Sequence, residues 1–356
     1  MQANPTPAPR GEETPPDSIR DVPHLEELLS RPPGAVADLF ARLEGPLAIV
    51  GGGGKIGPSL TAMACRARAQ AGTRQEIIVI DRFPDAQARR AFEALGARTI
   101  ACDLLDERAV AGLPQAASVV YMAGMKFGTT GDPSLTWAVN ALMPAYVAGH
   151  YRRARIVAFS TGCVYPLVAA ESSGSVETDG LEPPGEYANS CVARERIMQF
   201  CSGRHGTPMV LVRLNYAVEM RYGVLADLAC DIAAGRPVDV TMGCFNVMWQ
   251  GDVNAAVLRL LDHAAVPPLA LNLTGAEKVS TRHAALRLGE LMHKTPTMVG
   301  KEAPTALLSD ASKAHALLGR PQVAVETILR WTAEWVAAGK PLLGMPTHFQ
   351  TRDGKY

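Results

Sequence analysis

The chain has 356 residues, 47% of them hydrophobic, and carries 35 basic against 35 acidic side chains. That length allows one large or two modest domains with an ample core. The balanced charge argues against a general nucleic-acid or membrane-surface binder, which needs a basic excess. No apolar run approaches the roughly 18 to 20 residues of a membrane span. Seven cysteines without a CxxC pair fit free thiols in a reducing, cytoplasmic setting better than a disulfide framework.

Residues 1 to about 20 are rich in Pro, Glu and Thr and lack an apolar leader core. The expectation is a disordered tail, not a secretory signal. HLEELLSR and VADLFARL then read as two short amphipathic helices, broken by Arg31-Pro32-Pro33-Gly34 and packing on the main domain or on a second subunit. From Gly45 the pattern alternates. PLAIV, EIIVID, RTIACD, ASVVYMAG, RIVAFST and MVLVRL are short apolar strands, with helical stretches such as PSLTAMACRARAQAG and AQARRAFEALG between them. Fully apolar strands alternating with helices imply an α/β fold, a parallel sheet covered on both faces. After Asn215 the alternation loosens into helices such as GVLADLACDIAAG and VETILRWTAEWVAAG. The expected division is 1–44 as tail and short helices, 45–214 as the main sheet domain, and 215–356 mainly as a smaller lobe that returns some elements to the sheet.

Gly51, Gly54 and Gly57 form GxxGxxG where the first strand meets the first helix. Gly51 permits the tight turn, Gly54 lets backbone approach a pyrophosphate, and Gly57 lets the helix pack close. The helix N-terminus offers unpaired N–H groups to phosphate. An ordinary Gly-rich turn is the plainer reading, but the next strand ends in Asp81, where a carboxylate meets an adenosine ribose. Asp81 repels a 2′-phosphate and favours NAD. Arg82 follows at once and leaves NADP only disfavoured. Asp103, after the third strand, stands where it meets the adenine edge or caps a helix.

Further motifs follow in order: ASVVYMAG, WAVNALMP, FSTGCVYP, EYANSC and LVRLNYAVE. Together with the glycine loop they resemble the extended short-chain dehydrogenase/reductases, the NAD-dependent epimerase/dehydratase family, from about Pro46 to roughly Leu288. The resemblance implies a Rossmann-type doubly wound sheet with a C-terminal substrate lobe. It implies cofactor contacts from Gly51, Gly54, Lys55, Ile56, Gly57, Asp81, Arg82, Asp103, Leu104, Ala123, Asn140 and Tyr187. It places Tyr187 as the proton-transferring acid/base and Thr161 as the hydroxyl beside the same substrate oxygen, with hydride passing to a nicotinamide. The implied substrate is a hydroxylated small molecule: a sugar, sugar acid or nucleotide sugar. The family's four-helix dimer contact would use the helices beginning at Leu135 and Tyr187.

Where the family has the lysine of Tyr-x-x-x-Lys, this chain has Cys191. That lysine lowers the tyrosine pKa from near 10, and a thiol has no positive charge to offer. Three substitutes are open. Lys126 lies in the loop that faces nicotinamide and substrate, and is the residue favoured here as a third catalytic group; its plainer readings are a solvated loop lysine or a partner for a substrate phosphate or carboxylate. Arg194 is three residues past Cys191, a spacing that swings it partly away. The oxidised nicotinamide itself is the third. The same substitution supports a different class of protein, a dinucleotide-binding sensor or partner subunit without turnover.

Gly162-Cys163 stands where sugar-nucleotide dehydratases carry Asp-Glu, which argues against dehydration. Cys163 and Cys191 suit small-residue packing better than a redox pair. Glu219, Arg221 and Tyr222 suit substrate recognition or a salt-bridged turn. Asp252 is expected to cap its helix, and Trp249 to sit in the core. His263, His283 and His293 lack metal spacing, so no metal site is expected.

Overall fold

The computed structural model describes residues 14–126, 128 and 131–355. After two short helices, α1 (Val22–Leu29) and α2 (Gly34–Arg42), strands and helices alternate: β1 (Leu47–Val50), α3 (Gly57–Gln70), β2 (Ile77–Asp81), α4 (Ala86–Ala94), β3 (Arg98–Ala101), α5 (Glu107–Ala111), β4 (Ser118–Tyr121), α6 (Pro133–Trp137), α7 (Met143–His150), β5 (Arg155–Thr161) and α8 (Glu186–His205). Two later strands, Met209–Leu214 and Leu269–Leu273, complete a seven-stranded sheet. Its order is Leu269–Leu273, Met209–Leu214, β5, β4, β1, β2, β3, and every pairing is parallel.

The two-sided burial read from the apolar strands is explicit in the packing. Side chains alternate across a strand. Leu47, Ile49, Ile77, Val79, Val157 and Val210 enter one core, with α2 and α3. Their neighbours Ala48, Val50, Ile78, Ile80, Ile156 and Leu211 enter the other, with α7 and α8. A polar residue on either face of these strands would be desolvated, which is why the sheet half was legible from its sequence.

A third core belongs to the C-terminal lobe. It is built on α9 (Val224–Ala233), α11 (Thr281–Leu291) and α12 (Val325–Ala337). Between α9 and α11 runs α10 (Gln250–Arg259), which packs instead on the sheet beside α3. Helix α1 sends Leu25 and Leu29 into the lobe core, while α2 sends Val36, Leu39 and Phe40 under the sheet. The N-terminal pair therefore ties the two halves of its own chain together.

The expectation of a disordered tail needs one correction. Its first 13 residues lie outside the described residues. The stretch from Pro16 to Arg20 is held: Trp331 Nε1 donates to the Pro16 carbonyl (3.0 Å), Lys340 Nζ donates to the Ile19 carbonyl (2.6 Å), and Ile19 is buried in the lobe core. One isoleucine with two backbone anchors was enough to order a segment of polar composition.

Candidate active site

The glycine loop leaves β1 with Gly51 at φ +81°, a left-handed conformation glycine adopts freely. A Cβ there would stand 2.4 Å from the Ala123 nitrogen, so the loop lies directly on the β4 loop. At Gly57 a Cβ would stand 1.8 Å from the Gly52 carbonyl oxygen. That glycine lets α3 close onto the loop itself rather than onto the sheet. Gly53 and Gly54 are exposed, and the loop opens a backbone-lined cradle at the start of α3. Gly53 N donates to Asp81 Oδ2 (2.9 Å) and Arg82 N to Asp81 Oδ1 (2.7 Å), so the carboxylate is fixed beside the cradle at the end of β2. These residues fit the pyrophosphate and adenosine ribose of a dinucleotide.

Asp103 Oδ1 accepts from Leu105 N (3.0 Å) in a turn. The helix-capping alternative passes to Asp106, which caps α5 through Arg108 N and Ala109 N. Leu104 is buried, and Ala123 is partly buried against the sheet core. Lys55 and Ile56 follow the exposed glycines. The Lys55 amine lies 3.5 Å from the Tyr222 ring centroid, reaching the lobe across the cleft. Burial first, and Lys126 second, bring its pKa down to about 8.

Asn140 sits in a π-helical segment, Ala138–Leu142, between α6 and α7. It is fully buried and saturated with bonds. Nδ2 donates to the Met125 carbonyl (2.8 Å) and Ser190 Oγ (2.9 Å); Oδ1 accepts from Met125 N (2.9 Å) and Arg194 Nη2 (2.5 Å). It joins the β4 loop to the middle of α8.

Thr161 ends β5, and its hydroxyl accepts from Cys163 N (3.1 Å). Tyr187 lies in the first turn of α8, after Gly185 at φ +81°. Its hydroxyl shares hydrogen bonds with the Thr161 side chain and the Cys191 thiol. Burial holds the Tyr187 pKa well above its usual value, and Cys191 and Cys163 push it the same way; Arg194 and the Thr161 bond oppose them. The Cys191 thiol is buried, which raises its pKa too.

The structure corrects the reading of Arg194. Its side chain does not swing away: it lies fully within α8's buried face, where Nε donates to the Asn140 carbonyl (3.3 Å) and Nη1 to the Phe159 carbonyl (3.0 Å). Lys126 stands elsewhere. Its amine donates to the Thr347 carbonyl (3.5 Å) and faces Cys163, Asp227 and Cys191, with its pKa lowered chiefly by burial.

Thr347 belongs to a segment that sequence reasoning missed. Residues 340–355, irregular in backbone, cross from the lobe to the start of α8. Thr347 N and Oγ1 donate to Asp227 Oδ2 (2.8 and 2.6 Å). Phe349 packs edge-on to Phe245, and Gly354 presses on Gly185 so closely that a Cβ on Gly185 would stand 2.5 Å from its oxygen. Only about 20 Å³ remains beside Cys163 and Ala188 under this strap, while about 440 Å³ lies behind it, against α9. The only sequence signal was the aromatic Phe349 in a Gly/Pro-rich stretch.

Other side chains frame the site. Glu195 is buried and paired with Arg213 (2.8 Å), and accepts from Ser160 Oγ (2.6 Å). Arg213 Nη1 donates to the Tyr165 hydroxyl, which donates to Asn272 Oδ1. Glu219 and Arg221 form a salt-bridged turn (3.0 Å). Trp249 is in the core, edge-on to Trp331. Asp252 does not cap α10; it accepts from Gln322 N and Val323 N, and burial raises its pKa to about 6. The cysteines are thiols outside any disulfide, and no metal-binding cluster occurs among the described residues. No helix of the described residues is long and apolar enough to cross a membrane.

No protein-family model and no curated protein matches the sequence. Solved structures do match by fold. UDP-glucose 4-epimerase from Thermus thermophilus, in complex with NAD, is 22% identical, with a TM-score of 0.67 over 81% of this chain and 98% of that one. UDP-glucuronic acid 4-epimerase from Bacillus cereus, in complex with UDP-glucuronic acid and NAD, is 16% identical, with a TM-score of 0.67 over 82% and 99%. The UDP-Glc/GlcNAc 4-epimerase of Campylobacter jejuni is 18% identical, with a TM-score of 0.68 over 82% and 99%. The chain thus has the α/β Rossmann-type fold that these epimerases share.

Proposed function

We propose that this protein is an NAD-linked epimerase or dehydrogenase acting on a sugar, sugar acid or nucleotide sugar. The observation that carries the proposal is the Tyr187 hydroxyl, hydrogen-bonded to Thr161 on the same carboxyl edge of the parallel sheet as the glycine cradle and Asp81. The NAD held by the structural neighbours supports the cofactor. When bound, the nicotinamide supplies a hydride acceptor.

The chain's own residues do the rest. Gly51, Gly54, Lys55, Ile56 and Gly57 hold the pyrophosphate end; Asp81 holds the adenosine ribose and selects against a 2′-phosphate; Asp103, Leu104 and Ala123 line the path between, and Asn140, buried, fixes the β4 loop from behind. Thr161 orients the substrate hydroxyl. Tyr187, as phenolate, takes the hydroxyl proton while the carbon gives up its hydride, leaving a carbonyl. A dehydrogenase stops there. An epimerase takes hydride back on the opposite face, and Tyr187 returns the proton. Lys126 meets the reacting end of the substrate from the β4 loop. Gly162-Cys163 offers no carboxyl pair for a dehydration.

A second reading, a dinucleotide-binding sensor, is favoured by Cys191 in the lysine's place and by the raised Tyr187 pKa. Tyr187→Phe separates the two. On the enzyme reading it abolishes turnover of sugars and nucleotide sugars, followed by NADH absorbance or product epimer, and leaves NAD⁺ binding nearly intact. Turnover that survives the substitution would sink the acid/base assignment. We further propose a homodimer through α6 and α8, since Leu135, Trp137, Leu142 and Phe200 expose apolar surface there, Phe200 at 63%. Sedimentation of the Phe200→Glu variant as a monomer beside a dimeric parent would support it; a monomeric parent would overturn it.

A further inference from the structure

The site holds a tyrosine where acid/base chemistry is needed and a thiol where its cation is missing, yet a buried cation lies close by on the same helix. Residue 194 is seven positions from Tyr187. At 3.6 residues per turn that offset returns to within about 20° of the same face. Counting from Cys191 hides this; counting from Tyr187 reveals it. Helical side chains also lean toward the N-terminus, so a long side chain at 194 reaches back beneath Cys191 toward the tyrosine.

The surroundings of that guanidinium fit a charge meant to act at a distance. Among the described residues its hydrogen bonds go to three neutral oxygens: Asn140 Oδ1, the Asn140 carbonyl and the Phe159 carbonyl. The adjacent carboxylate, Glu195, is taken by Arg213 at 2.8 Å. The charge of Arg194 is therefore solvated by dipoles and not cancelled by its own ion pair, in a fully buried position. Space is made for it. A Cβ at Gly124 would stand 2.5 Å from Nη2, and Cys191 is among the smaller residues that could stand between it and Tyr187. Cys191, then Tyr121, Tyr187 and Glu195, are the ionisable groups that interact with its charge.

We infer that Arg194 supplies the fixed positive charge for Tyr187 that the missing lysine supplies elsewhere, acting as a positioning residue from behind the helix instead of touching substrate or cofactor. This deepens the proton-transfer role given to Tyr187 and rests on that reading. Cys191 is then the small residue that admits the arginine's field, and Lys126 remains a group on the substrate side.

The charge also opposes burial in setting the Tyr187 pKa, and that is where the test reads. The groups facing the Tyr187 hydroxyl are Cys191 and Arg194 on α8 and Thr161 and Cys163 after β5, with Lys126 facing the two thiols from the β4 loop. The full chain, its Arg194→Gln, Arg194→Lys and Lys126→Met variants, and the double variant Arg194→Gln with Cys191→Lys would be compared. In Arg194→Gln the low-pH limb of kcat/KM should move up by about one unit or more, with NAD⁺ affinity retained. Arg194→Lys should keep the limb near the parent's, and Cys191→Lys should restore it in the Gln background. Lys126→Met should leave it in place. An unmoved limb in Arg194→Gln, or a limb that moves only in Lys126→Met, overturns the inference. If Arg194→Gln does not fold, the limb is read from Arg194→Lys, where a shift of a unit or more overturns the inference. If the parent turns nothing over, the enzyme reading fails separately. The tyrosinate absorbance assigned to Tyr187 by difference from Tyr187→Phe then decides: ionisation at higher pH in Arg194→Gln supports the inference, and unchanged ionisation overturns it.

Discussion

Two buried arginines meet α8, and they live in opposite electrostatic worlds. Arg213 faces Glu195 directly, with Nε and Nη2 on its carboxylate and Nη1 on the Tyr165 hydroxyl. Arg194, on the next residue's flank, has only amide and carbonyl oxygens. The first pair is closed on itself and exerts little field outside. The second keeps its field, and the tyrosine two turns back feels it. The lesson is that a buried charge becomes functional when its neighbours solvate it without neutralising it.

The comparison can be broken from the closed side first. Arg213→Met would leave Glu195 buried and uncompensated, at a cost of about 3 to 5 kcal/mol, seen in denaturant unfolding. Removing both partners, with Glu195→Met added, should recover most of that loss. A single variant as stable as the parent would mean the pair is not the closed unit drawn here.

Asp252 offers a third case, a partly buried carboxyl that accepts from two backbone N–H groups, with its pKa raised from 3.8 to about 6. The folded state binds the proton more tightly than the unfolded state. The favourable contribution is thus complete below about pH 4 and is lost as pH rises through about 6. Asp252→Asn keeps an acceptor and removes the charge. It should stabilise the protein by about 1 to 2 kcal/mol at pH 8 and by almost nothing at pH 4. Equal melting shifts at both pH values would contradict that environment.

A smaller effect should come from Gly124→Ala. The added methyl meets Arg194 Nη2, so the guanidinium has to shift. Overpacking of this kind costs about 1 kcal/mol or more, and the low-pH limb of turnover should move in the direction seen for Arg194→Gln. If stability falls and the limb stays, the position of the guanidinium does not matter to Tyr187.

The sheet half of the molecule was legible because its rules are local. Strands β1 and β2 announce themselves by unbroken apolar runs, the glycine loop lies between a strand and a helix, and Asp81 ends the next strand. Thr161 and Tyr187 were singled out by motif, and the structure brings their side chains into a hydrogen bond. What escaped was long-range or angular. Thr347 lies 221 residues from Lys126, and nothing in its own neighbourhood marks it as a wall of the cleft. Asp252 has the look of a helix cap but spends its oxygens on backbone at Gln322 and Val323, a tertiary contact that local spacing cannot show. Arg194 was visible in the sequence, but its direction was judged from the wrong reference residue.

The most direct test of the account is a titration of the nucleotide-stripped protein with NAD⁺, NADH, NADP⁺ and NADPH. Saturable binding with a clear preference for the NAD pair is expected, lost when Asp81 is changed to Ala and when Gly51 is changed to Val. Absence of binding to any of the four would contradict it, and would mean that the glycine cradle is a relic of the fold.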